Sequence, residues 1–365
     1  MLPRPYYNTK IYFLSLSCQQ MKNIDRHISL FASLGERLEG FGGDAVSRAV
    51  IASAAKANPW FMESDIVEAV EAIRTRMLQP EILAEWLGRY PAERSVTKDV
   101  AVIMAGNIPL VGFSDLLCVI ASGNRCHMKM SGKDSVLMGY IAGLLKDIAP
   151  DVPVFEYREG SAYDAVIATG SDNTNRYFRS AFSGIPSLLR GSRSSVAVLG
   201  GGESECVLKL LSRDIFRYSG LGCRNVSLIF IPRDYDIAML GAAITPASKN
   251  INPSYLNNYR HNKALLSVKG EKFEDMGCFV MQERAGFPVN ISSLNYCRYD
   301  SLEEVGGWLA ANEDAVQCIV ADLLSHPHMS VLSALSHPRA VPTGQAHGPY
   351  PWDYPDGRDV MDFLT

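Results

Sequence analysis

The sequence predicts an α/β protein: a Rossmann-type parallel sheet with a helical layer ahead of it, followed by a second α/β unit. Three observations lead there. From Ile24 to Leu87 apolar residues recur at helix spacing only. From Asp99 onward, apolar strand-like runs alternate with helix-length segments, as parallel sheets require. After Gly202 a second alternation begins. The 365 residues, 47% hydrophobic, suffice for two domains with a substantial core.

The elements follow in order. Lys10 precedes Ile11-Tyr-Phe-Leu-Ser-Leu-Ser-Cys18, shaped like a signal peptide that ends at a lipoprotein cysteine. Its apolar core is too short, and serine stands where leucine is preferred. Residues 1–20 are therefore read as an extension, and Met21 as the start of the globular part. Ile28, Leu30, Phe31, Leu34 and Leu38 mark a first helix, Ala49–Ala57 a second and Ile66–Met77 a third, with Pro80 and Pro91 punctuating the exit. No residue in this layer looks catalytic. Val100–Met104 is an apolar strand, Gly106-Asn107-Ile108-Pro109 a turn and Val111–Ile120 a helix. Arg125–Met130, Val152–Phe155, Ala165–Thr169 and Ser195–Leu199 read as further strands, with helices from Asp134 to Ile148 and from Ser171 to Phe182. The dinucleotide-binding domain is expected over 21–199 and the catalytic domain over 200–338, with 339–365 returning to the first. In the second unit, helices are expected at Glu205–Phe216, Tyr235–Ile244, Asn252–Leu266 and Leu302–Asn312, and strands at Asn225–Ile231, Leu294–Arg298 and Gln317–Val320.

Charge and cysteine usage exclude several classes. The net charge is −4, and no Lys/Arg stripe with interleaved aromatics is present, so nucleic acid is not an expected partner. None of the eight cysteines forms a CxxC pair, which reads as reduced, cytoplasmic thiols without a metal site. No apolar run approaches the ~20 residues that span a bilayer.

The chemistry concentrates at Cys223. A helix runs into Tyr218-Ser219-Gly220, Gly222 precedes the cysteine, and a strand follows. A thiol at a glycine-flanked bend can sit at the base of a cleft, where a thiolate would act as nucleophile. A buried, inert thiol is the competing reading. In parallel sheets ligands bind beyond the carboxyl ends of strands, which selects three loops. Asn107 offers an amide. Lys129 with Ser131 offers an ammonium and a hydroxyl. Gly170-Ser171 opens a helix whose amino terminus could face a phosphate. Each residue also has an ordinary use, as a cap, a turn or a solvated end. No GxGxxG follows a strand in the right setting.

Taken in order, Asn107, Lys129 with Ser131, Gly170-Ser171, Gly200-Gly201 and Cys223 resemble the loops of the aldehyde dehydrogenase superfamily. Within it, Ala105-Gly-Asn-Ile-Pro-Leu110, Gly123-Asn124, Arg190-Gly191 before Ser194-Ser195, and the Cys223 bend are similar to the fatty acyl-CoA reductase (LuxC-type) family. The similarity covers about Val100–Ile231. It implies an aldehyde dehydrogenase-like fold and a homo-oligomer. It also implies an NAD(P)H-dependent reduction of an acyl thioester formed on Cys223. Asn107 would serve the oxyanion, and Lys129, Ser131, Lys133, Gly170, Ser171, Gly200 and Gly201 the cofactor. Hydrolytic relatives place a glutamate ahead of the junction glycines; here Val198-Leu199 precede Gly200-Gly201, which favours acyl-CoA over hydrolysis. The alternatives are a hydrolytic or acyl-phosphate-using relative, or a catalytically silent nucleotide-binding subunit. Gly132 stands where NAD-preferring relatives often carry glutamate, and Lys133 follows, so NADPH is expected to serve at least as well as NADH.

Overall fold

The computed structural model describes residues 18–90, 96–246, 251–322 and 339–365. The expectation for residues 1–17 and the domain limit at Pro338 lie outside these. Four helices come first: α1 (Cys18–Arg37), α2 (Ala45–Ala57), α3 (Glu63–Arg76) and α4 (Pro80–Leu87). The Asp44 side chain caps α2 by accepting from the N–H groups of Val46 and Ser47, and Pro80 opens α4 at the position where no N–H is required. On α3, Ile66, Ala69, Val70 and Ile73 share one buried face at helical spacing.

A five-stranded, wholly parallel sheet follows, in the order β3-β2-β1-β4-β5. Its strands are β1 (Asp99–Ile103), β2 (Arg125–Lys129), β3 (Val154–Glu156), β4 (Ala165–Thr169) and β5 (Ser187–Arg190). The connecting helices are α5 (Phe113–Ala121), α6 (Ser135–Ile148) and α7 (Asp172–Ala181). Helices α5 and α6 pack with the amino-terminal layer in one apolar core, while Phe178 of α7 packs with Ala101, Val166 and Ala168 on the other face.

The strand β6 (Ser194–Val198) corrects the expected boundary. It does not join the first sheet; it pairs with β7 (Val226–Pro232) and β11 (Val316–Ala321) in a second, seven-stranded sheet of order β12-β11-β6-β7-β10-β9-β8. That sheet also contains β8 (Glu274–Asp275), β9 (Val280–Glu283), β10 (Ser293–Tyr299) and β12 (Arg339–Pro342), all parallel except the β8–β9 pair. The chain thus crosses between sheets at Gly191–Arg193, not at Gly200-Gly201. The short strand β5, Ser187–Arg190, carries only two apolar residues, too weak a pattern to mark a strand in the sequence. Helices α8 (Glu205–Phe216), α9 (Ile237–Ile244), α10 (Pro253–Lys269) and α11 (Leu302–Ala311) complete this unit.

The carboxyl-terminal segment divides. Strand β12 belongs to the second sheet, but Tyr354 and the last helix, α12 (Val360–Leu364), enter the core of the first. Trp86 Nε1 donates to the Tyr354 hydroxyl at 2.7 Å, and Tyr90 donates to Asp359 at 2.7 Å.

Where β5 ends, Arg190 makes a buried ion pair with Asp115 of α5, at 2.6 and 2.8 Å. Removing one partner of such a pair leaves an uncompensated buried charge. Arg190→Met should therefore cost about 3–5 kcal/mol in urea unfolding, and Asp115→Leu added to it should restore most of the loss. A single variant as stable as the parent would show that the pair contributes nothing.

Candidate active site

The Cys223 bend is built by a side-chain amide. After α8 the chain makes a turn in which Tyr218 (φ 53°), Ser219 (φ 55°) and Gly220 (φ 69°) all adopt left-handed backbone. For the two non-glycine residues this is unfavourable and must be held in place. Asn225, 3% exposed, holds it: Nδ2 donates to the carbonyls of Ile215 (3.0 Å) and Arg217 (2.8 Å), and Oδ1 accepts from the Gly222 N–H (2.8 Å). Gly222 leaves room for this bond, because a Cβ would stand 3.0 Å from Asn225 Oδ1 and press on the amide. Ser195 at the start of β6 donates to the Cys223 carbonyl at 2.9 Å and ties the bend to the second sheet.

The first unit delivers Asn107 to the same place. Its Nδ2 donates to the Leu221 carbonyl at 2.5 Å, two residues ahead of the thiol. The turn that carries it is fixed from both sides. A Cβ on Gly106 would lie 2.5 Å from Ser131 Oγ, so that turn packs directly on the Lys129–Ser131 loop. Farther along, Leu110 has φ 57°, and its N–H donates to Asp134 Oδ2 at 2.8 Å. Asp134 is 2% exposed and its other oxygen meets no donor, so burial pushes its carboxyl up to about 7.

Cys223 is half-buried and opens into a mostly apolar cavity of about 140 Å³, shared with Ile108, Tyr218, Arg224 and His347. Burial pushes the thiol up; Arg224 pulls it down, Asp356 raises it and Arg190 lowers it. His347, from the carboxyl-terminal segment, is neutral, pushed down to about 3 by burial, and its Nε2 lies 3.2 Å from the Asp214 carbonyl. Of the other thiols, Cys318 is buried against Ser195 and Cys206 is exposed on α8.

A second pocket, of about 420 Å³, lies at the carboxyl ends of β1 and β2. It is lined by Ile103, Lys129, Glu159 and several aromatics, with Lys129 Nζ 5.0 Å from the centre of the Tyr157 ring. Its size, its aromatic faces and its ammonium suit a nucleotide. A larger hollow of about 620 Å³ sits at the opposite, amino-terminal ends of these strands, beside α1, and is lined by no cysteine.

Not every expected residue joins the cleft. Ser131 and the exposed Lys133 stand beside Gly106, not in the nucleotide-sized pocket. Ser171 caps its own helix, accepting from the Thr174 N–H, and Asp172 adds a carboxylate to that helix start. Gly170 packs on Thr174, where a Cβ would stand 3.0 Å away. This helix start is thus already occupied by side chains and acidic, a poor seat for a pyrophosphate. Gly200 and Gly201 are displaced altogether. They lie at the far end of β6 from Ser195 and Cys223, roughly 16 Å along the strand at ~3.3 Å per residue. Their N–H groups are filled by the Glu203 carboxylate at 2.7 and 3.1 Å. At the true crossing, Leu188-Leu189-Arg190 precede Gly191, so no glutamate stands there either. Sequence reading missed Asp134, Asn225 and the Asp115–Arg190 pair, since Asn and Asp near glycine read equally well as turn residues. Among the described residues no group of His, Cys, Asp and Glu could hold a metal, and no helix is long and apolar enough to cross a membrane.

Because the Asp134 carboxyl is raised when folded, the folded state binds the extra proton between its ordinary pKa and about 7. Its contribution to stability is fully present below about pH 4 and is lost as pH rises through 7. Urea unfolding of the parent and Asp134→Asn from pH 4.5 to 8 should show the parent losing ground against the variant as pH rises. A difference that stays flat would mean that Asp134 ionises as an exposed carboxylate does.

No protein-family model matches the sequence, and no curated protein is significantly similar to it. Solved structures are similar in fold. An NAD-dependent benzaldehyde dehydrogenase from Corynebacterium glutamicum superposes with a TM-score of 0.64 at 10% identity, over 89% of this chain and 83% of that one. Betaine aldehyde dehydrogenase from Staphylococcus aureus, in complex with NAD+, gives 0.63 at 10% identity, over 88% and 75%. An acetylating aldehyde dehydrogenase from Geobacillus thermoglucosidasius gives 0.58 at 11% identity, over 93% and 84%. These superpositions show an aldehyde dehydrogenase-like fold.

Proposed function

We propose that this protein is an acyl-CoA reductase that forms a thioester on Cys223 and releases the acyl group as an aldehyde. One observation carries the reading: the Asn107 amide and the Cys223 bend, from different units, meet through the 2.5 Å bond to the Leu221 carbonyl, beside the thiol's cavity. In the first step Cys223 Sγ gives up its proton and bonds to the acyl carbonyl carbon. The C–S bond to CoA then breaks, and CoA leaves as a thiol with that proton. The oxyanion formed on the way needs donors; Asn107 Nδ2, turning from Leu221, and the Cys223 N–H would supply them. Arg224 and Arg190 favour the thiolate against burial. A reduced nicotinamide dinucleotide, when bound, supplies the hydride for the second step. Lys129 in the 420 Å³ pocket would hold its ribose or phosphate as a point charge. The C–S bond to Cys223 then breaks and the aldehyde departs. No carboxylate precedes the crossing glycine to activate water, which supports acyl transfer over hydrolysis.

Cys223→Ala should abolish covalent acylation by an acyl-CoA, while Cys206→Ala and Cys318→Ala retain it. An acyl label that persists on Cys223→Ala would overturn the assignment. Asn107→Ala should lower kcat about 10²–10³-fold, as loss of one oxyanion donor does.

The preference between the two dinucleotides depends on two side chains. Gly132 leaves open space, and the exposed Lys133, outside the pocket on the loop that follows Lys129, offers an ammonium to a 2′-phosphate that protrudes from it, whereas Glu159 in the pocket opposes it. NADPH is expected to match or exceed NADH in kcat/KM, with Lys133→Ala lowering the NADPH value and Glu159→Gln raising it. A parent that strongly prefers NADH, with no change in Lys133→Ala, would reverse this assignment.

A further inference from the structure

The cavity at Cys223 has walls that bear on which acyl group it accepts. The amino-terminal helical layer supplies one wall: Ala69, Ala72 and Ile73 line it along a single face of α3, and Met77, which caps that helix, extends it. Tyr218 and His347 supply another, packed edge to face at 5.3 Å. These walls are fixed. Ile73, Met77, Tyr218 and His347 are 6–8% exposed. Helix α3 is tied to the Cys223 turn by the Glu68–Arg217 ion pair.

The space between these walls is about 140 Å³ and is open to solvent on one side. An apolar protein cavity of about 150 Å³ accommodates one benzene molecule, which is a six-carbon measure. A longer chain would have either to displace these packed side chains or to run back out through the mouth into water, and a hydrophobic pocket discriminates by about 10–200-fold per misfit methylene.

We propose that the enzyme accepts compact acyl groups, up to about six carbons or a benzoyl ring, that it rejects long unbranched fatty acyl chains, and that the alanine face of α3 sets this limit. The proposal rests on the thioester reading above. It separates this chain from the long-chain substrates that a fatty acyl-CoA reductase resemblance implies.

The test is acylation of the full-length protein by propanoyl-, hexanoyl-, benzoyl- and dodecanoyl-CoA, read by intact mass and by kcat/KM for aldehyde formation. Hexanoyl- and benzoyl-CoA should exceed dodecanoyl-CoA by at least about 10-fold. Ala72 is half-buried, so Ala72→Leu should project into the cavity without overfilling the core. That variant should lower hexanoyl-CoA relative to propanoyl-CoA by about 10-fold or more. Circular dichroism and urea unfolding check that it is folded, and Ala72→Val, a smaller intrusion, should give a smaller change in the same ratio. Dodecanoyl-CoA that labels and turns over as well as hexanoyl-CoA would overturn the size limit and leave the thioester chemistry standing. Equal slowing of all four substrates in a folded Ala72→Leu would overturn the role of α3. Absence of any mass label from all four would overturn the thioester reading, and this inference with it.

Discussion

The buried side chain of Asn225 is the constraint on which the rest of the cleft depends. Three residues in left-handed backbone cannot follow α8 unless something satisfies the carbonyls the helix leaves open. One amide does so, and its oxygen takes the Gly222 N–H as well. Each such group left unpaired in the interior costs about 1–3 kcal/mol, so the turn, the glycine and the asparagine stand or fall together. Cys223 inherits its position from that arrangement and from the Ser195 bond to its carbonyl.

Around this fixed point the cleft is assembled from segments far apart in the chain. The Asn107 turn arrives from the first sheet, clamped between Ser131 and the buried Asp134 carboxyl. Helix α3 arrives from the amino-terminal layer. The carboxyl-terminal segment arrives last, with Arg224 donating to the Asp353 carbonyl at 2.8 Å and Arg193 pairing with Asp356 at 2.9 Å. Those contacts hold charge of both signs near the thiol. Arg224 and Arg190 work for the thiolate, and burial and Asp356 work against it. The proposed chemistry therefore requires the proton to leave Cys223 as the substrate arrives, when a reacting carbonyl can accept the developing charge density.

Glycine pairs show most clearly where local pattern misleads. Gly200-Gly201 follows a strand and precedes a helix, so it looked like the junction facing a cofactor. The actual crossing, Gly191-Ser192-Arg193, follows a strand too short and too polar to notice. A strand's position in one sheet or another is a matter of pairing, and pairing partners such as Val316 or Val226 lie 30 to 120 residues away. Ser171 is a different case. Its sequence context fits a phosphate seat and a helix cap equally, and the Thr174 bond with the neighbouring Asp172 favours the cap.

By itself the sequence determined the helical layer, the alternation that makes a parallel sheet and a second α/β unit, and the bend at which Cys223 differs from seven other cysteines. These are local properties: hydrophobic period, turn residues, and a thiol between glycines and a strand. Tertiary structure alone decided that β6 belongs to the second sheet and that Asn107 reaches the Cys223 bend. It alone placed Ala69 and Ala72 in the wall of the thiol's cavity and sent Gly200 and Gly201 to the far end of β6. The reason is physical. Strand pairing and cavity walls arise between residues distant in the chain, where burial and hydrogen-bond satisfaction are settled over the whole molecule.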